Sequence, residues 1–111
     1  MKKATFTGNE LTEATRGDWR DGRLPPEAIS VYTDTRVAGE GRLFLALPGE
    51  RFDAHDYLAQ AVAAGAGALC IRRDRGEKLP EPCPVPVLEV DDTIAAYRGI
   101  ANFHRRRFPE L

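Results

Sequence analysis

Apolar positions along the chain follow two periods, and their alternation predicts an α/β fold. Residues 29–33 are rich in β-branched and aromatic side chains, residues 43–47 and 68–71 are continuously apolar, and residues 85–90 form a further, mainly apolar run. Short runs of this kind are typical of strands, and continuous ones of strands covered on both faces. We therefore predict a single small domain over residues 1–111, with a mixed, mostly parallel sheet and flanking helices.

Two helices are predicted from the patterns at their N-termini. Thr7 followed by Glu10 has the capping-box spacing and predicts a short first helix. Asp53 predicts the cap of a second helix, with Asp56 at the capping-box distance. Between these helices, turn residues predict an irregular connection over residues 18–27, with a brief strand at Trp19.

The last predicted helix follows Asp91 and Asp92, which we interpret as helix caps rather than metal ligands. Spacings of three and four predict its apolar face, which comprises Ile94, Tyr97, Ala101, His104 and Phe108. We interpret His104 as a partly buried structural residue. The three arginines at 105–107 indicate a solvated helix end that complements the helix dipole, with nucleic-acid contact as the alternative.

Composition places the protein among soluble globular domains. The 111 residues are 42% hydrophobic and 30% charged, and the formal net charge of -1 gives no general attraction to nucleic acid or acidic lipid. No apolar run approaches the roughly 20 residues of a membrane span, so we expect a cytoplasmic protein without membrane insertion. Cys70 and Cys83 have no ligand-spaced partner, which predicts free thiols and no metal site.

The first candidate binding segment lies at the end of the first long predicted strand and consists of Thr33, Asp34, Thr35 and Arg36. Open α/β sheets commonly bind ligands at strand ends. Hydroxyl, carboxylate and guanidinium groups suit a uridine nucleotide, because uracil and ribose form hydrogen bonds and arginine can pair with phosphate. The alternative is an Asx- or ST-turn followed by a surface arginine.

The second candidate segment follows the predicted strand at 43–47 and comprises Gly49, Glu50, Arg51, Phe52, Asp53 and His55. Backbone amides at a helix N-terminus favour anions. Arg51 adds positive charge, and Phe52 could stack against a base. The alternative makes Phe52 a core anchor, Asp53 a helix cap, and His55 an exposed residue of the first turn.

Residues 33–36 and 41–56 together resemble the N-terminal domain of the Mur ligases, in particular the type that adds D-alanyl-D-alanine. Residues 61–71, 90–93 and 104–108 also resemble this family. The resemblance implies that Thr33 and Thr35 contact uridine, and that Asp34 and Arg36 brace the pocket. It also implies that Gly49, Glu50, Arg51 and Phe52 line the uracil and diphosphate region.

The same resemblance implies a role within a larger enzyme of peptidoglycan precursor synthesis. In that family the first domain holds the UDP part of UDP-N-acetylmuramoyl-tripeptide, and a central domain binds ATP and Mg²⁺. No lysine here follows a glycine, so the chain has no phosphate-binding loop of the common kind and no predicted catalytic residue. We expect the isolated chain to be inactive. The alternatives are the diaminopimelate- or lysine-adding sibling and a nonenzymatic nucleic-acid or protein interaction module.

Overall fold

Five short strands form one sheet in the computed structural model, which describes residues 4–34, 36–37 and 39–107. The strands are β1 (Asp18–Trp19), β2 (Val31–Tyr32), β3 (Leu43–Leu45), β4 (Ala68–Arg72) and β5 (Val87–Val90). Their order in space is β1-β5-β4-β3-β2. Strands β2 to β5 are parallel, and β1 pairs with β5 in the antiparallel sense. The predicted mixed, mostly parallel sheet is confirmed.

Three α-helices flank the sheet: α1 (Gly8–Thr15), α2 (Leu58–Ala63) and α3 (Thr93–Arg107). The predicted capping box of α1 is present. The Glu10 backbone N–H donates to Thr7 Oγ1 over 3.1 Å, and the Thr7 N–H donates to Glu10 Oε1 over 2.8 Å. Of the two candidate caps of α3, Asp92 fills the role, because its Oδ1 accepts a hydrogen bond of 2.8 Å from the Ile94 N–H.

The segment before α2 is a 3₁₀ turn over Ala54–Tyr57, and here the predicted capping box is wrong. Asp53 does cap the turn, but its carboxylate accepts from the backbone N–H of His55. The Asp56 carboxylate instead pairs with Lys78 Nζ at 2.9 Å. In this 3₁₀ turn the Asp56 N–H donates to the backbone carbonyl of Asp53 over 2.9 Å, so the Asp53 carboxylate caps the His55 N–H instead.

Apolar side chains pack on both faces of the sheet, as the continuous apolar runs predict. On one face, Leu43 and Leu45 join a core cluster with residues of α1 and α3. On the other, Phe44 joins a cluster with residues of α2. Successive side chains of a strand point to opposite faces, so a strand buried on both sides requires an unbroken apolar run.

The predicted apolar face of α3 is wrong by about one position. The buried residues are Thr93, Ala96 and Ile100, whereas Ile94 is 41% exposed and Tyr97 is 46% exposed. Gly99 explains the rotation, because a Cβ at this position would collide with the carbonyl oxygen of Ala14 in α1. The close approach to α1 turns Ile94 and Tyr97 outward. Ala101, which was also predicted on the apolar face, is exposed, and Phe108 lies outside the described residues.

The end of α3 is anchored rather than uniformly solvated. Arg105 and Arg106 are exposed, as predicted. Arg107 instead donates to the Thr5 carbonyl over 3.1 Å and lies 4.8 Å above the Phe6 ring. His104 is partly buried, as predicted, with an edge-on contact to Phe6. These contacts tie the last turn to the N-terminal segment.

Both cysteines are free thiols, as predicted. Burial raises the pKa of Cys70 to about 12, whereas Cys83 is half-buried. Over residues 4–34, 36–37 and 39–107, no helix is long and apolar enough to cross a membrane. Within the same ranges, no group of three or more His, Cys, Asp or Glu side chains is arranged to hold a metal ion.

Candidate functional site

An open groove of about 730 Å³ lies beyond the carboxyl ends of β2 and β3. It is lined by Thr33, Asp34, Arg36, Phe52, Ala54, Tyr57 and Gln60. Both segments singled out in the sequence contribute to this lining, although they are separated along the chain. The parallel pairing of β2 and β3 brings them together, because parallel strands end at the same edge of a sheet.

The first wall of the groove is formed by the segment after β2, which folds as an Asx-turn. Asp34 Oδ1 accepts from the Arg36 backbone N–H over 2.9 Å, and both carboxylate oxygens pair with the Arg36 guanidinium at 3.0 Å. These hydrogen bonds and the arginine charge hold the pKa of Asp34 below its usual value. The alternative interpretation as an Asx-turn is therefore confirmed for Asp34, although the turn also lines the groove. Thr35 lies outside the described residues.

The second wall begins with a closed loop after β3. Pro48 and Asp53 form an antiparallel bridge across its base, and the Ala54 N–H donates to the Leu47 carbonyl over 3.1 Å. A Cβ at Gly49 would lie 2.6 Å from the Phe52 carbonyl oxygen. The loop thus requires glycine at its first position because its two sides approach too closely for any side chain.

Phe52 lies at the surface of the groove and is 61% exposed. Its ring meets Tyr57 edge-on, with centroids 5.7 Å apart and planes at 82°. The alternative that Phe52 is a core anchor is therefore wrong. Glu50 and Arg51 are also exposed, but they lie in the loop outside the groove lining.

His55 is fully buried, which contradicts the alternative that it is an exposed first-turn residue. Its Nδ1 lies 2.7 Å from Asp53 Oδ1, and its Nε2 accepts from the Arg72 backbone N–H over 3.1 Å. With both ring nitrogens occupied, His55 is placed behind the loop rather than in the groove. The prediction that His55 belongs to the binding residues is therefore corrected, because its buried side chain does not line the groove.

Partial burial of the Asp53 carboxyl raises its pKa, but hydrogen bonds from the His55 backbone and ring, together with the charge of Arg75, lower it by more. The net result is a pKa below the usual value. The carboxylate accepts from the His55 backbone N–H over 3.0 Å, and its second oxygen lies 3.4 Å from Arg75 Nη2. Asp53 is therefore an ionised cap at the base of the loop.

Three groove residues were not predicted from the sequence: Ala54, Tyr57 and Gln60. They follow one another at intervals of three through the 3₁₀ turn and the start of α2. Positions three apart on a helical segment share one face. This spacing was the available signal, but the sequence alone did not show which face would meet the groove.

A second cavity, of about 240 Å³, lies on another part of the surface, between the turn after β1 and the segment before β5. Its two arginines are already engaged by the protein. Arg20 pairs with Glu89 at 2.9 Å, and Arg23 donates to the Pro84 carbonyl over 2.8 Å. The groove beside Phe52 is the stronger candidate because its aromatic ring is exposed.

No protein-family model matches the chain, but individual proteins do. It is 40% identical over 105 residues to the UDP-N-acetylmuramoyl-tripeptide–D-alanyl-D-alanine ligase of Escherichia coli (strain K12), which covers 95% of this chain and 22% of that protein. The chain belongs to the Mur ligase family. Another Mur ligase relative is the UDP-N-acetylmuramoyl-L-alanyl-D-glutamate–2,6-diaminopimelate ligase of Parasynechococcus marenigrum (strain WH8102). It is 42% identical over 78 residues, covering 70% of this chain and 16% of that protein.

Solved structures agree with this membership of the Mur ligase family. A crystal structure of MurF from Acinetobacter baumannii matches with a TM-score of 0.84 and 33% sequence identity, covering 100% of this chain and 23% of that chain. The fold of the whole described region is therefore shared with a Mur ligase. This chain spans about a fifth of the length of the relatives and the solved structure that it matches.

Proposed function

We propose that this chain is the N-terminal, UDP-sugar-binding domain of a Mur ligase that adds D-alanyl-D-alanine to UDP-N-acetylmuramoyl-tripeptide. The observation that supports this most directly is the groove shared by the segments after β2 and β3. Its volume of about 730 Å³ lies within the range of roughly 300–1,000 Å³ that is usual for small-molecule sites. The E. coli relative is named as a ligase with a UDP-linked substrate.

The groove offers the chemical groups that a uridine requires. The Phe52 ring is largely exposed and can stack on uracil, and base–aromatic stacking does not require a particular hydrogen-bond pattern. Gln60 supplies an amide donor and an acceptor, which suit the uracil edge, and Thr33 supplies a hydroxyl for base or ribose. Stacking therefore supplies affinity, and the polar groups orient the nucleotide.

The diphosphate would lie toward the positively charged side chains at the rim. Arg36 is paired with Asp34, but its side chain is 88% exposed, so water screens the pair and the guanidinium can turn toward a phosphate. Arg51 is exposed in the neighbouring loop, together with Gly49 and Glu50. A bidentate arginine–phosphate contact is a strong charge-assisted interaction.

We expect ATP and Mg²⁺ to bind outside this chain. No lysine follows a glycine in the sequence, and the described ranges hold no cluster of three or more metal-binding side chains. We propose that these cofactors bind a central domain of the parent protein, which would be the structural partner of this one. The parent protein would form an amide bond and consume ATP. We expect the 111-residue chain alone to hydrolyse no ATP.

UDP titration followed by NMR tests the proposed site. Backbone resonances of Thr33, Arg36 and residues 49–52 should shift at millimolar UDP, because a one-domain pocket lacks closure by further domains and binds weakly.

Phe52→Ala should weaken binding of UDP by about 1–3 kcal/mol, the usual contribution of one stacked base. Tyr97→Ala is the matched control, since Tyr97 is also a half-exposed aromatic residue but lies on α3. Shifts confined to residues outside the groove would contradict the proposal.

The diaminopimelate-adding sibling is the second candidate function, because the relative of P. marenigrum is named as such a ligase and matches at 42% identity. Ligation by the parent protein distinguishes the two. We expect product from UDP-N-acetylmuramoyl-tripeptide with D-alanyl-D-alanine. Product only from the UDP-linked dipeptide with diaminopimelate would assign the sibling reaction, while leaving the proposed UDP site intact.

A further inference from the structure

A buried hydrogen-bond network links the groove loop to the end of β4. His55 is its centre and is fully buried. Its ring contacts the Asp53 carboxylate at 2.7 Å on one side and the Arg72 backbone N–H at 3.1 Å on the other. The contact to Arg72 spans 17 positions along the chain, so this histidine joins two segments that are remote in sequence.

The partners of the ring determine the histidine tautomer. A backbone N–H can only donate, so the Arg72 contact requires a lone pair on His55 Nε2. The ring proton therefore lies on Nδ1, where it is donated to the Asp53 carboxylate. In this tautomer each group of the network has a matching partner, which favours one orientation of the ring.

The same network fixes the base of the loop that carries Phe52. Asp53 directly follows Phe52 and also forms the bridge with Pro48 that closes the loop. A second contact to Asp53 comes from Arg75, and Lys78 pairs with Asp56 at 2.9 Å. Three contacts therefore join residues 72–78 to residues 53–56: Arg72 to His55, Arg75 to Asp53, and Lys78 to Asp56. Of the six side chains, that of His55 is fully buried.

We propose that His55 is a positioning residue for nucleotide binding, which acts on the uridine through Asp53 and Phe52 without touching the ligand. This inference rests on the proposed function of the groove. By fixing Asp53 from behind, His55 sets the position of the exposed Phe52 ring over the groove and beside Tyr57. Preorganised binding groups depend on such supporting contacts.

Two substitutions separate the two sides of the histidine. Both replacements carry an amide donor and an amide acceptor, so they differ in reach. The shorter His55→Asn side chain places its amide near the former Nδ1 position beside Asp53 and falls short of the Arg72 N–H, whereas the longer His55→Gln side chain places its amide near the former Nε2 position beside the Arg72 N–H and away from Asp53. We expect each variant to raise the dissociation constant for UDP by about tenfold, the lower end of the effect seen when supporting residues of metal sites are replaced. NOEs between the Phe52 and Tyr57 rings should weaken in both variants.

Ile100→Ala is the control for a general loss of stability, because Ile100 is buried in the core on the opposite face of the sheet. It should lower the melting temperature without changing UDP affinity or the ring contact. Unchanged affinity and an intact ring contact in both His55 variants would overturn the inference. An equal loss of affinity in Ile100→Ala would overturn it as well.

Further measurements keep the inference separable from the proposed function. If the wild-type chain does not bind UDP, the proposed function fails, and the ring NOEs alone then decide whether His55 positions Phe52. If neither His55 variant folds, Asp53→Ala must raise the dissociation constant, since it removes the carboxylate through which His55 acts; no change would overturn the inference. Long-range ¹H–¹⁵N correlations of the wild type should show the proton on Nδ1, and the opposite tautomer would overturn it too.

Discussion

The two walls of the groove are held in different ways. The wall after β2 depends on contacts between neighbours, since Asp34 and Arg36 are two positions apart and both are partly or largely exposed. The wall after β3 is closed by a bridge and tied through a buried histidine to Arg72, 17 positions further along the chain. One wall can therefore adapt to a ligand, whereas the other is set by folding.

This difference assigns separate parts to the two walls in the proposed binding of UDP. A base-stacking ring benefits from a fixed position, because an ordered side chain loses little entropy on binding. A phosphate-binding arginine on an exposed turn can move to meet its ligand. Four substitutions test the contrast through the free energy of unfolding, from the largest expected effect to the smallest.

His55→Ala should have the largest effect. It leaves the half-buried Arg72 N–H without its partner, removes the hydrogen bond that the ring donates to Asp53, and opens a cavity at a fully buried position. Together these losses should lower the free energy of unfolding by about 2–4 kcal/mol. Urea denaturation measures this change. Lys78→Ala, which removes an exposed ion pair from the same region, should change the free energy far less. Equal effects would mean that the buried histidine is not the main anchor.

Gly49→Ala should have the next largest effect. The added Cβ would lie 2.6 Å from the Phe52 carbonyl oxygen, so the loop must open, and overpacking of this kind lowers stability by about 1–3 kcal/mol. Thermal and urea unfolding both report the loss. Gly76→Ala is the matched control, because its Cβ would meet only the flexible end of Arg20. An unchanged free energy of unfolding in Gly49→Ala would show that the loop is not fixed by folding.

Asp53→Asn should have a smaller effect that depends on pH. The pKa of Asp53 in the folded chain is below its ordinary value of 3.8, so the folded state binds fewer protons in this range and the carboxylate stabilises it at neutral pH. The contribution should be no more than about 1 kcal/mol, because the group is partly exposed to solvent. It should vanish as the pH falls below 3.8 through the lowered pKa. Urea denaturation of the wild type and of Asp53→Asn from pH 7 to pH 3 measures this contribution. A difference in the free energy of unfolding that stays constant with pH would show that the charge has no role.

Asp34→Asn should have the smallest effect. Asparagine keeps the oxygen that accepts from the Arg36 backbone N–H, so the Asx-turn is retained, and only an exposed ion pair is lost. We expect no measurable change in the free energy of unfolding by urea denaturation. A large loss would show that this wall is anchored as firmly as the other, and the contrast between them would fail.

Much of the fold was predictable because its signals are local or repeat along the chain. The capping box of Thr7 and Glu10 spans three positions, and the unbroken apolar runs of β3 and β4 indicate burial on both faces. The segments of the groove were also found, since strand ends in parallel sheets meet at one edge. The rotation of α3 was not predictable, because it depends on the contact of Gly99 with Ala14 in another helix.

Local patterning thus suffices to identify the helices, the strands and the polar segments that follow them, since these depend on residues within a few positions of one another. It does not decide which side chains are exposed. Phe52 is apolar yet lies at the surface, and His55 is polar yet is fully buried. The burial of His55 depends on a partner from a distant part of the chain, the Arg72 N–H, and that partner is adjacent only once the sheet has formed.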